Sequence, residues 1–142
     1  MIDMSFLEGQ PLGYLLSRVA SALRTQVVTT VLEPLELAFP QYICLRMLSH
    51  SPGLSNAELA RGANVSRQAM NIVLQRLEDR GLVTRPDSVR SGRALPAELT
   101  RAGLDLLAQV DIGVGEAERT VLANLSERDR RELKRLLAAV GS

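Results

Sequence analysis

Apolar side chains recur at three- and four-residue steps through Leu12, Leu15, Leu16, Val19, Leu23, Val27 and Val31. That rhythm predicts a long amphipathic helix over residues 11–31, ended or broken at Pro34. A second helix is predicted from Pro40 through "QYICLRML" to about residue 49, with proline suited to its first turn. "SHSPGLS" then reads as a turn, and Ser55 to Glu58 ("SNAE") as a capping box opening a short helix over residues 56–61. Ser66 is placed as the N-cap of a fourth helix that runs to Arg80, with Gly81 as its left-handed stop.

Beyond Gly81 the rhythm changes. "LVTR" (82–85) and "RALPAEL" (93–99) predict two short strands, joined by the polar tip "PDSVRSG"; Pro96 makes the second an edge or irregular strand. Thr100 caps a long fifth helix, in which Gly113 and Gly115 mark a bend or a close helix contact. Ser126 caps a sixth, whose Leu133, Leu136, Leu137 and Val140 share one face.

The stretch "LARGANVSRQAMNIVL" breaks one helix and restarts another almost at once. Asn64 supplies a residue that tolerates positive φ, and Ala60 is small enough for two backbones to approach. Leu59, Ala60, Ala63, Val65, Met70, Val73 and Leu77 are predicted to face inward. Arg67, Gln68, Asn71 and Gln75 then face outward near a helix start, where arginine suits guanine and the amides suit adenine. Ser66 and the free N–H groups of that first turn suit a phosphate. A sharp helix-turn-helix followed by a two-stranded wing predicts a module that reads double-stranded DNA.

Charge sharpens this picture. Net charge over the 142 residues is only +1, so the chain as a whole is no polyanion binder. Residues 61–103, however, hold eight arginines against four acids, while the remainder holds nine bases against twelve acids. The basic region therefore coincides with the helix-turn-helix and wing, although solvated helix faces also carry arginine.

These residues resemble the multiple-antibiotic-resistance-regulator (MarR) family of bacterial transcription factors over nearly the whole chain. "LGYLLSRVASALR" is similar to the family's first helix, and "LEPLELAFPQYICLRML" to its first loop and second helix. "GLSNAELARGANVSRQAMNIVLQRLEDRGLVTR" is similar to its helix-turn-helix with the approach to the wing, and "RALPAELTRAG" to the end of the wing. "LSERDRRELKRLL" is similar to the last helix. The resemblance implies a homodimer on palindromic operators, commonly a repressor released by a small, often phenolic or anionic, ligand. The expected DNA contacts therefore include Arg90 and Arg93 on the wing, and Ser66 and Arg76 on phosphates. The family wing commonly carries Asp-x-Arg; here Ser91 replaces the aspartate while Arg93 remains, which leaves that arginine's orientation open. Ile72 stands where the family often has a basic residue.

One domain over residues 1–142 is thus expected, mainly α with a small β-hairpin wing. Its winged helix-turn-helix spans residues 40–99, and dimerisation helices lie at 11–36 and 100–142. Pairing the terminal helices would bury their apolar faces and set two recognition helices about 34 Å apart. Between base and winged unit, Arg24, Tyr42 and Arg46 are candidates for an anionic aromatic effector, or else Arg24 and Arg46 make structural ion pairs.

The remaining chemistry is sparse. His50 is the sole histidine and reads as a surface or loop residue, with no metal-ligand cluster and no cofactor expected. Cys44, the single cysteine, excludes an internal disulfide and reads as a buried, inert thiol in a reducing cytosol. No nucleophile–base pair or phosphate loop predicts catalysis. No signal peptide and no membrane-length apolar run are visible, so a cytoplasmic, nucleoid-associated protein is expected. Two alternatives stay open: a winged-helix dimerisation module that has lost DNA binding, and a redox sensor acting through Cys44.

Overall fold

The computed structural model describes residues 3–85 and 96–141. In chain order the elements are α1 (Met4–Glu8), α2 (Leu12–Val27), α3 (Phe39–His50), α4 (Asn56–Ala63), α5 (Arg67–Asp79), β1 (Val83–Thr84), β2 (Glu98–Leu99), α6 (Arg101–Val121) and α7 (Glu127–Val140). The short α1, capped by the Asp3 carboxylate accepting from the Phe6 N–H, was not anticipated from periodicity.

The first long helix does not stay α-helical to residue 31. It widens into a π turn at Val28–Leu32 and tightens into a 3-10 turn at Glu33–Leu35. Pro34 explains the change. It has no N–H for the carbonyl of Thr30, and its ring would strike that carbonyl in an α-helix. The Glu33 N–H reaches back to Val28 instead. The result turns Val31 and Leu32 fully inward.

Three helical segments end in the same way. Glu36, Asn64 and Gly81 take left-handed φ values of 56°, 57° and 72°. At each, the N–H of the following residue reaches back five positions: Leu37 to Leu32, Val65 to Ala60 and Leu82 to Leu77. This is the Schellman arrangement, and it directs the chain sharply away from the helix. Only Gly81 is free of Cβ strain there; Asn64 tolerates it, and Glu36 is a costlier choice.

α3, α4 and α5 enclose Cys44, Leu45, Leu48, Leu59, Ala60, Met70, Leu74 and Leu77, all buried. Leu74, rather than Val73, takes the central position on α5; Val73 is half-buried at the margin. α4 also runs on to Ala63, two residues past its predicted end. β1 and β2 form an antiparallel pair with Val83 opposite Leu99 and Thr84 opposite Glu98. The hairpin is tied to α6 by Thr100, whose hydroxyl donates to the Gly81 carbonyl at 2.6 Å and accepts from the Gly103 N–H at 3.1 Å. α6 then packs along α2 and the π turn. A Cβ on Gly113 would lie 2.8 Å from Val31 Cγ1, so that glycine serves a close helix contact.

Candidate nucleic-acid interface

The geometry of α5 follows from its two ends. Ser66 caps it, its hydroxyl accepting from the Ala69 N–H at 3.0 Å. The Asn64 turn fixes the angle between α4 and α5. α4 is itself held by its capping box: Ser55 accepts from the Glu58 N–H at 3.1 Å, and Glu58 accepts from the Ser55 N–H at 3.0 Å. Those bonds hold the Glu58 carboxyl below the usual carboxylate range.

With Met70, Leu74 and Leu77 buried, the opposite side of α5 is open. Ser66, Arg67, Gln68, Asn71, Gln75 and Arg76 are all exposed along it. Arg67, Gln68 and Arg76 make no polar contact among the described residues that would withhold them from a ligand. Gln75 donates to Asp79 at 3.0 Å on the same helix. Asn71 is engaged across the turn, its Oδ1 accepting from the Nδ2 of Asn56. Ile72, half exposed among these polar groups, is an apolar surface of the kind that meets a thymine methyl. Its exposure could have been read from its place outside the 70–74–77 stripe. Arg90 and Arg93, assigned to the wing, lie outside the described residues.

The ligand candidates join in a line across α2, α3 and α6. The Arg24 guanidinium lies 4.2 Å above the Phe39 ring. Phe39 meets Tyr42 edge-on, with ring centroids 6.0 Å apart. Arg46 donates to the Tyr42 hydroxyl at 3.3 Å and is ion-paired with Asp111 on α6. Arg46 thus makes the structural ion pair that was one of its two readings. Arg24 and Phe39 instead line a groove of about 550 Å³ with Ser21, Thr25, Glu33 and Leu37. Phe39 was missed in the sequence, because nothing short of the fold brings it under Arg24.

The other chemistry sorts quickly. Cys44 is fully buried, and burial pushes its thiol up to about 12 against the opposing field of Arg85, so thiolate chemistry at neutral pH is suppressed. His50 is an exposed residue at the end of α3. No group of metal-binding side chains occurs among the described residues, and none of their helices is long and apolar enough to cross a membrane.

Helix-turn-helix, hairpin and long flanking helices together define a winged-helix protein. The family model described as "MarR family" matches residues 35–94. The chain is 52% identical over 139 residues to the HTH-type transcriptional repressor Rv2887 of Mycobacterium tuberculosis, covering 98% of this chain and 99% of that one. The chain belongs to the MarR family. It also matches the crystal structure of Rv2887 in complex with p-aminosalicylic acid, with TM-score 0.82 and 53% identity over 94% of this chain and 100% of that one. The crystal structure of Rv2887 in complex with DNA matches at TM-score 0.80 and 50% identity, over 94% and 99% of the two chains.

Proposed function

We propose that the protein is a homodimeric, sequence-specific repressor of transcription that binds double-stranded operators of two-fold symmetry and is released by a small aromatic anion. The observation that carries this is the exposed polar side of α5, set at a fixed angle by the Asn64 turn, in a chain half identical to a repressor solved with DNA. Arg67, Gln68 and Asn71 meet base edges, with Gln75 beside them. Ser66 and Arg76 hold phosphates, and Arg90 and Arg93 serve the wing. Residues 40–99 act as the reading unit, and residues 11–36 and 100–142 as the dimer base. The protein acts as a binder, not a catalyst, and works in the cytoplasm at the nucleoid.

The Arg24 groove supports the effector reading. A cation stacked on a ring offers charge to a carboxylate and a face to an aromatic body, and the related repressor was solved with p-aminosalicylic acid. Tyr42 and Arg46 extend the same line of contacts, with Arg46 already committed to Asp111. The groove borders the segment that joins α2 to α3. An occupant that fits one dimer geometry better than another shifts the balance between them by that difference in affinity.

The test is sequencing of DNA fragments enriched by the purified protein, followed by binding titrations on the recovered site with and without p-aminosalicylate. Enrichment of an inverted repeat, weakened binding with the ligand, and loss of that response in Arg24→Gln are expected. Failure to enrich any sequence at low salt would overturn the reading.

A further inference from the structure

Asn56 opens α4 and Asn71 lies in the second turn of α5, fifteen residues on. Their side chains meet where the two helices cross. The Nδ2 of Asn56 donates to the Oδ1 of Asn71. The other end of the Asn56 amide, its Oδ1, is buried with no partner among the described residues. A buried carbonyl oxygen without a donor is a poor structural choice, since it gives up water and receives nothing. An apolar residue would fill that space without the penalty. What the amide supplies is the bond at its outer end.

That bond has a consequence for reading DNA. A free asparagine can turn its amide to present a donor and an acceptor together, the pattern that suits adenine. Asn71 is not free in this way. Its oxygen is turned toward α4, and its –NH2 is the end left for a ligand. Gln68, one turn earlier, has no such partner among the described residues and keeps both options.

We infer that Asn56 is a positioning residue for base recognition: it holds the Asn71 amide with its donors outward, so that Asn71 selects an acceptor edge in the major groove. The oxygens of guanine (O6) and thymine (O4) and the N7 atoms of guanine and adenine are such edges; cytosine offers only its amino group. This deepens the proposed DNA-binding role and rests on it.

The experiment is binding-site selection with native protein, Asn71→Ala, Asn56→Ala and Asn56→Asp. Asn56→Asp is the informative change, being nearly isosteric and able only to accept. It forces Asn71 to donate inward and present its oxygen instead. Native protein should disfavour cytosine at one position of each half-site, by about tenfold against bases that present an acceptor there. Asn71→Ala should flatten that position alone. Asn56→Ala should broaden it to include cytosine, because the amide can then turn. Asn56→Asp should admit cytosine and reject guanine and thymine there, with the other positions unchanged. A merely structural Asn56 would lower affinity everywhere without changing the preferred base. If Asn71→Ala flattens a position that Asn56→Asp leaves as it was, the inference fails while the DNA-binding reading stands. If Asn71→Ala flattens no position, Asn71 is not a base reader and the inference falls with it. If native protein enriches nothing, the DNA-binding reading itself has failed.

Discussion

Arg80, at the end of α5, donates from Nη1 to the backbone carbonyl of Glu36 at 2.7 Å, across 44 residues of sequence. Its Nη2 donates to the carbonyl of Leu35 at 3.1 Å. These carbonyls belong to the last residue of the 3-10 turn and to the left-handed Glu36 that follows it, the point where the chain leaves α2 for α3. The far end of the proposed reading helix is therefore fastened to the joint between the long helices and the helix-turn-helix.

Arg80→Met keeps the aliphatic stem and removes both bonds. Because the side chain is exposed, the stability loss should be small, about 1 kcal/mol by chemical denaturation. The larger effect should fall on operators that need both half-sites, since the angle of α5 to the dimer base is loosened. Affinity for a single half-site should change little. Equal loss on half-site and full site would mean that Arg80 acts on DNA directly.

Two glycines of α6 should respond in opposite directions to alanine. At Gly103 a new Cβ would lie 2.2 Å from the carbonyl oxygen of Leu82, which is backbone and cannot rotate away. Strain there should outweigh the gain in helix propensity and destabilise by about 1–3 kcal/mol or more. At Gly115 the nearest atom is Arg119 Nη1 at 3.7 Å, so alanine should stabilise by roughly 1 kcal/mol. Thermal denaturation of both variants decides it. A stable Gly103→Ala would mean that α6 and the Leu82 backbone do not approach as closely as described.

What the sequence made legible were local devices. The Ser55–Glu58 box, the Ser66, Thr100 and Ser126 caps and the turns at Asn64 and Gly81 each involve residues a few positions apart. Their chemistry is complete within the stretch that carries it. The joint at residues 33–36 was less legible, because Glu36 is no ordinary left-handed residue and periodicity cannot separate a π turn from an α turn. The choice of Leu74 over Val73 turned on small rotations of α5 about its axis. Long-range pairs were beyond reach: Arg46 with Asp111, Arg80 with Leu35 and Glu36, and Asn56 with Asn71 need the helices already placed. The sequence identified the exposed face of α5, but not which of its side chains is held.

Cys44 should behave as a core residue. Its thiol is raised to about 12 by burial, so the protonated form persists across neutral and mildly alkaline pH. Thiol reagents at pH 7 to 8 should leave folded protein unmodified and label it fully in denaturant. Peroxide should not release bound DNA, and Cys44→Ala should cost about 1 kcal/mol or somewhat more while preserving the preferred site. Rapid labelling of the folded protein, coupled to loss of DNA binding, would restore the redox-sensor alternative.

The last prediction concerns the surfaces that the single chain leaves bare. α7 has no buried residue, yet Leu136, Leu137 and Val140 are 48%, 44% and 80% exposed along one side. Lys134 of α7 pairs with Glu118 of α6 at 3.0 Å. Met4, Phe6, Leu12, Tyr14, Leu16 and Val19 are likewise exposed at the other terminus, on α1 and the first half of α2. So much apolar surface on terminal helices is seldom left to water in a monomer. Pairing with a second chain would cover both ends and set the spacing of two reading helices. The full-length protein should therefore sediment as a dimer at micromolar concentration. Removing residues 126–142 should give a monomeric, aggregated or unfolded chain that no longer prefers an inverted repeat over a single half-site. Substituting Leu136 and Leu137 by Glu should act in the same direction while leaving the helix-turn-helix intact, which circular dichroism can verify. A stable monomer that still bound an inverted repeat tightly would overturn the dimeric mechanism.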